Sequence, residues 1–185
     1  SNPAGRVPIV EVESTVDDQF YVSPDGMMVL FIVADPNALT SGIHIADVQI
    51  GIRSRISTTT SLIQRGRFSA PAFEPGGRRV AIALATGYDL DVFIYDLELA
   101  QWFNVTNAGA MDWAPVWSPD GRYIAFLSDR VECPTWFPGQ GGCDIETDTP
   151  SMAGHIFIYD MLTGDVRQIS EEAVVEPPKW VTSRL

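Results

Sequence analysis

A hairpin that recurs is the strongest constraint this sequence imposes. Asp112 to Phe126 reads DWAPVWSPDGRYIAF, an apolar strand, a tight corner and a second apolar strand in fifteen residues. Pro119 presets the backbone dihedral for the first corner position, Asp120 can bond back to the chain, and Gly121 accepts the positive φ that a side chain resists. Phe20 to Ile32, FYVSPDGMMVLFI, and Ala70 to Leu84, APAFEPGGRRVAIAL, repeat the unit. Gly26, Gly77 and Gly121 stand 51 and 44 residues apart, a spacing at which each unit is one small sheet that needs neighbours to bury its faces. A fourth start, PPKWV at Pro177 to Val181, matches the PVWS of Pro115 to Ser118.

Downstream of each corner lies a third apolar strand ending in aspartate: IHIAD at Ile43 to Asp47, VFIYD at Val92 to Asp96 and IFIYD at Ile156 to Asp160. A short polar turn and a fourth strand follow, at Ser54 to Thr58, Trp102 to Thr106 and Val166 to Ser170. Four strands per repeat is the make-up of a β-propeller blade. These residues resemble the TolB-like propeller repeat, a WD-type relative in which Pro-any-Trp-Ser-Pro-Asp-Gly precedes an Ile-Tyr-any-Asp-like strand. The likeness spans Asp18 to Leu185 and is best at Ala114 to Phe126; the first repeat departs from it, with Tyr21 near the tryptophan slot and no matching proline. The resemblance implies an all-β chain, a partial β-propeller of three four-stranded antiparallel blades at 17–60, 61–107 and 111–171, within one domain over 1–185. Residues 7–13 and 177–185 are then stray strands of adjacent or composite blades.

Closed propellers usually carry four to eight blades. Three blades and one strand fall short of that, so the expectation is either a piece of a longer protein or half of a six-bladed ring completed by a homodimer. Acidic residues number 24 against 12 basic ones, a net charge of −12, and such a field repels a phosphate backbone; nucleic acid is disfavoured as a partner. Arg53, Arg55, Arg65, Arg67, Arg78 and Arg79 are half of the basic residues within 27 positions. They make either a patch for an acidic partner or a set of solvated turn faces, and their place in predicted turns favours the second. No run reaches the eighteen apolar residues of a spanning helix, and no signal-peptide pattern opens the chain, so this segment is not expected to insert into a membrane.

The third repeat carries an insertion. Gly121 to Asp160 is 39 residues where Gly77 to Asp96 is 19, and the surplus falls at Arg130 to Gly154. Loops of this length are uncommon unless functional or disordered. Both cysteines, Cys133 and Cys143, lie there. Two thiols without a third or fourth ligand make a poor zinc site. A disulfide closing the loop is the better account and places the domain outside the reducing cytoplasm, in a periplasm or the extracellular space; two reduced thiols are the alternative. Asp144, Glu146 and Asp148 alternate, a spacing that could converge on calcium, but lack the calcium-loop form, so no metal or cofactor is expected. Trp136 and Phe137 fall outside the repeat and are candidates for an interaction loop, against packing under the bridge. Trp113, Trp117 and Trp180 hold inner-strand positions, where large rings fill the wedge between blades.

Catalytic chemistry finds no foothold. The Gly-any-Ser-any-Gly elbow is absent, and His44 and His155 sit near third strands without a neighbouring nucleophile, as packed histidines do, so no catalytic residue is assigned and no enzyme is expected. Asp129, after the second strand in SDR, is placed to bond the amides of its own turn. The TolB-like resemblance implies a non-enzymatic protein-interaction scaffold or ligand-binding propeller domain, a fragment of a larger extracytoplasmic protein with a protein partner. Two alternatives stand beside it: the substrate-gating propeller portion of a prolyl-oligopeptidase-like peptidase, and an extracellular sensor of a sugar or cell-wall ligand.

Overall fold

Ser-Pro-Asp-Gly builds the same corner at both places where it occurs. In the computed structural model, which describes residues 20–33, 41–57, 70–86, 89–134 and 153–181, the Ser118 carbonyl accepts from Gly121 N at 2.9 Å. The Ser118 hydroxyl donates to Asp120 Oδ1 at 2.5 Å and accepts from Tyr123 N at 2.8 Å. Ser23 makes the same three bonds with Gly26, Asp25 and Met28. The middle corner has Glu74 in the serine's place, and Glu74 instead grips the Arg79 guanidinium by two hydrogen bonds. All three corners end on a glycine at φ near +70°: Gly26 and Gly77 at 73° and Gly121 at 70°. That region penalises a Cβ and explains why the fourth residue of the turn is glycine each time.

The aspartate that ends each third strand has a matching task. Asp47, Asp96 and Asp160 each turn a carboxylate oxygen onto the amides of the following corner: Gln49 N at 2.8 Å, Glu98 N at 2.9 Å and Leu162 N at 2.9 Å. One residue beyond each aspartate, the backbone N–H reaches the residue after the corner glycine, at Met27 O, Arg78 O and Arg122 O. The two motifs quoted from the sequence are therefore the two corners at one end of a single sheet.

The strands so joined are β1 (Phe20–Val22), β2 (Met28–Val33), β3 (Gly42–Asp47) and β4 (Arg53–Ser57) in a first sheet. A second sheet holds β5 (Ala72–Phe73), β6 (Arg79–Ala85), β7 (Leu90–Asp96) and β8 (Gln101–Asn104), and a third holds β9 (Asp112–Trp117), β10 (Tyr123–Ser128), β11 (His155–Asp160) and β12 (Val166–Gln168). Each sheet is a four-stranded antiparallel meander in chain order, and the described residues contain no helix. The fold is all-β, a partial propeller of three blades. Sheet 1 lies in one compact unit, residues 1–67, and sheets 2 and 3 in a second, residues 68–185. The strand predicted at residues 7–13 lies outside the described residues.

Within the first unit, Phe31, Val33 and Ala46 form the core. His44 stacks on the Phe31 ring at 5.4 Å, and the Arg53 guanidinium lies 5.6 Å from the same ring. In the second unit, sheets 2 and 3 pack through Ala81, Val92, Ile94, Trp117, Ile124, Phe126 and Phe157. Trp117 is the keystone of this junction: its indole N–H donates to the Ala72 carbonyl of β5 at 2.9 Å. The Arg79 guanidinium covers its ring at 5.1 Å. A buried indole removes about 150–250 Å² from water, the largest share any single residue type offers a junction.

Several expectations are corrected in detail. The first repeat's tryptophan slot is held by Val22, not Tyr21, because Val22 pairs with Val29 as Trp117 pairs with Ile124. The fourth strands of the second and third blades are shorter than drawn, ending at Asn104 and Gln168. Trp180, expected in the core, is 36% exposed. Among the described residues the arginines have separate partners, the reading their turn positions favoured: Arg78 pairs with Asp96 and Glu98, Arg79 with Glu74, and Arg53 lies over the Phe31 ring. Finally, β9 is bulged, with Ala114 and Pro115 opposite Phe126 alone and Ala114 at φ 54°. A proline is tolerated mid-strand there because a bulge asks no ladder bond of it.

Trp117→Phe keeps most of the buried ring but strands the Ala72 carbonyl. It is expected to cost about 1–3 kcal/mol, read as a lowered urea midpoint at unchanged m-value.

Candidate functional site

At the end of sheet 3 opposite its Ser-Pro-Asp-Gly corner, the starts of β9 and β11 and the end of β10 meet where the insertion leaves and rejoins the blade. Asp112, the first residue of β9, is wholly buried. Arg130 reaches it from the start of the insertion, Nη2 to Oδ2 at 2.7 Å, while its Nε donates to the Ser128 hydroxyl at 2.8 Å. The guanidinium is also laid over the rings of Phe157 and Phe126, 4.8 and 5.5 Å from their centroids. Burial pushes the Asp112 carboxyl up, and the Arg130 charge pulls it back, helped by the hydroxyls of Ser128 and Thr106. A buried pair of this kind holds its shape because losing either partner leaves a desolvated charge.

Asp129 adds a second pin. Its Oδ1 accepts from Met111 N at 2.8 Å, and its own N–H returns to Met111 O at 3.2 Å. Its carbonyl, rather than its carboxylate, caps the turn that begins the insertion, accepting from Glu132 N at 2.9 Å and Cys133 N at 2.7 Å. The expectation that the side chain would bond its own turn is thus corrected, since the carboxylate ties β10 to the approach of β9. Burial, with the nearby charges of Asp112 and Glu132, raises Asp129 to about 6.

The far stem is held sterically. Gly154 sits against the Trp113 indole so closely that an added Cβ would come within 2.6 Å of the ring and 3.0 Å of Ser128 O. It is bridged to Val174 by two backbone hydrogen bonds. His155, buried as expected, brings Nε2 to 3.3 Å from Glu171 O and Nδ1 to 3.6 Å from Glu132. Sheet 2 has a related cluster at its corresponding end, where the Asp91 carboxylate takes bonds from Thr86, Asn104, Thr106 and the Ala108 amide. Asn104, the residue of a possible glycosylation sequon, is consumed there.

Of the residues the sequence singled out, Cys133 is buried in this turn. Cys143, Trp136, Phe137, Asp144, Glu146 and Asp148 lie outside the described residues. Asp112, Ser128, Arg130 and Gly154 were missed; the signal for three of them was the SDR run followed by the insertion, with an aspartate opening the inner strand. Among the described residues no group of three or more His, Cys, Asp or Glu could hold a metal ion. With Asp112 neutralised by Arg130, the arrangement offers a partly exposed carboxylate, Asp129, and two fixed loop stems.

Two outcomes are expected. Asp129 has its folded value above its ordinary 3.8, so the folded state binds the proton more tightly and stability falls as pH rises from about 4 to about 6. Asp129→Asn keeps the acceptor for Met111 but removes the titration, so its melting temperature relative to wild type should climb across that interval and level off above it. Gly154→Ala forces the indole aside and should cost about 1–3 kcal/mol in chemical denaturation.

A family model described as TolB beta propeller domain matches residues 22–139, more than half of the chain. Among solved structures, TolB from Acinetobacter baumannii aligns with a TM-score of 0.54 at 21% identity, covering 80% of this chain and 31% of that one. An oligogalacturonate lyase in complex with manganese aligns at 0.55 and 15% identity, over 86% of this chain and 42% of that one. A prolyl endopeptidase aligns at 0.51 and 16%, over 80% and 21%. At these identities the likeness establishes the fold alone, and the chain spans less than half of each of these proteins. The repeated corners, the three antiparallel meanders and the match over residues 22–139 together make this chain a member of the TolB beta propeller domain family.

Proposed function

We propose that this chain is a non-enzymatic interaction scaffold, part of a larger extracytoplasmic protein, that presents the 130–154 insertion to a protein partner. The observation that carries this is the anchoring of both stems. On one side stand the buried Asp112–Arg130 pair and the Asp129 carbonyl; on the other stands Gly154, wedged on Trp113 and bridged to Val174. A loop whose stems are fixed by desolvated polar groups loses less conformational freedom on binding than one free at its base. Trp136 and Phe137, as an aromatic pair within such a loop, are the residue types that dominate binding energy at interfaces. A Cys133–Cys143 bridge would tighten the loop further and agrees with an oxidising compartment. Membership of a TolB-like family supports a role in protein association, and the two alternatives, peptidase gating and sugar sensing, find no specific support in the described residues.

The experiment is a comparison in cross-linking capture from a cell-envelope extract, wild type against Trp136→Ala with Phe137→Ala. The double variant should lose the captured species while its melting temperature stays within a degree or two. Equal capture by both proteins would refute the loop as the binding element. For the bridge, folded protein made without reductant should show no thiol to Ellman's reagent, and two titratable thiols after denaturation would dismiss it.

A further inference from the structure

A neutral imidazole has one ring nitrogen that donates and one that accepts, and at His155 both nitrogens face acceptors. His155 opens β11 on the far stem of the insertion, opposite Ser128 of β10 in the ladder, and its side chain is 7% exposed. Nε2 lies 3.3 Å from the Glu171 carbonyl, an oxygen that only accepts. Nδ1 is buried and lies 3.6 Å from Oε1 of Glu132, in the turn that opens the near stem. With the proton on Nε2 the carbonyl is satisfied, and the Nδ1 lone pair faces a carboxylate. With the proton on Nδ1 the roles exchange, and the carbonyl faces a lone pair instead. Only the imidazolium, which donates from both nitrogens, suits both neighbours.

The other charged groups at this end of sheet 3 have tasks of their own. Arg130, from the turn after β10, is paired with Asp112 of β9 and laid over the Phe157 ring. Asp129, of the same turn, turns its carboxylate onto Met111 N, and its carbonyl accepts from the amides of Glu132 and Cys133. That second contact fixes the Glu132 backbone next to the ring. From the segment after β12, Glu171 brings its backbone carbonyl, and both Glu171 and Glu172 are exposed. Glu132 is thus the carboxylate that meets the histidine.

The geometry points to a proton-operated clasp between the two stems: a proton taken up at Nδ1 joins His155 to Glu132 and ties the first turn of the insertion to the strand that follows it. Histidine changes charge between about pH 5 and 8, so the clasp is closed in mild acid and open above neutrality. The folded state holds the proton, and what the clasp contributes is therefore present on the acid side and lost as pH rises. As a control over partner binding the clasp rests on the loop reading. Its test uses the chain alone, so a failed partner capture and a failed clasp are told apart.

Two measurements decide it. In long-range proton–nitrogen spectra of the wild-type chain, His155 should carry a proton on both nitrogens at about pH 5 and on Nε2 alone at about pH 8. The second measurement is a double-mutant cycle followed by urea denaturation. At about pH 5, Glu132→Gln should lower the folding equilibrium constant about threefold, the scale of a partly exposed ion pair, and should bring no such loss when His155→Gln is already present. At about pH 8 the two backgrounds should respond alike. Asp129 is present in all four proteins, so its own titration cancels from the cycle. A ring that is neutral at the acid pH, an Nδ1–H tautomer at the alkaline one, or equal responses of both backgrounds in acid would overturn the proposal. Should His155→Gln fail to fold, the wild-type spectra decide alone.

Discussion

An indole N–H that reaches across to the backbone carbonyl of the preceding repeat is the contact on which the second unit depends. The bond fixes two things at once. It holds the inner strands at a set distance, because the ring must lie in the wedge with its nitrogen at the Ala72 carbonyl, and it ties Trp117 to one position along β5. The apolar surface of Ala81, Val92, Ile94, Phe126 and Phe157 supplies most of the transfer energy. Such surface is undirected, and the hydrogen bond gives it direction. The same bond recurs from Trp180 to Val116, the residue that matches Ala72.

Each sheet has two ends, and the chain treats them differently. At the corner end, Asp25, Asp120, Asp96 and Asp160 bond the hydroxyls and amides of the turns they belong to, and Asp160 also meets Arg122 of the neighbouring corner. At the opposite end they reach across strands. Asp112 meets Arg130, Asp129 meets Met111, and Asp91 gathers two hydroxyls, an amide side chain and a backbone N–H.

The division explains what could be read from the sequence and what could not. Corners are written in consecutive residues, so Ser118 to Gly121 and the strand-ending Asp47, Asp96 and Asp160 disclosed the sheets, their order and the repeat. The buried cluster is assembled from Asp112, Ser128 to Arg130 and Gly154 to His155, pieces brought together only by strand pairing, so the SDR run and the aspartate opening β9 hint at its members but not at their meeting. Two further details were written locally: Pro115 inside an inner strand marks a bulge, and Val22 directly before Ser23 holds the tryptophan position by alignment with Trp117. Trp180 was placed in the core because its repeat position matches that of Trp117, and it makes the matching bond while remaining 36% exposed.

Electrostatics turns the same asymmetry into a pH response. Hydrogen bonds and nearby arginines hold Asp25, Asp96, Asp120 and Asp160 below the ordinary aspartate value. Their folded forms favour charge, so what they contribute is present above about 3.8 and disappears as pH falls through the lowered values. Asp112 and Asp129 are displaced the other way, principally by burial. Ionising Asp129 strains the loop end, whereas protonating the corner carboxylates loosens the opposite one. Mild acid therefore relieves the end that bears the insertion while the corners still carry their charge, and only stronger acid reaches the repeat itself. The part of the blade given over to the insertion is thus electrostatically separable from the part that makes it a blade.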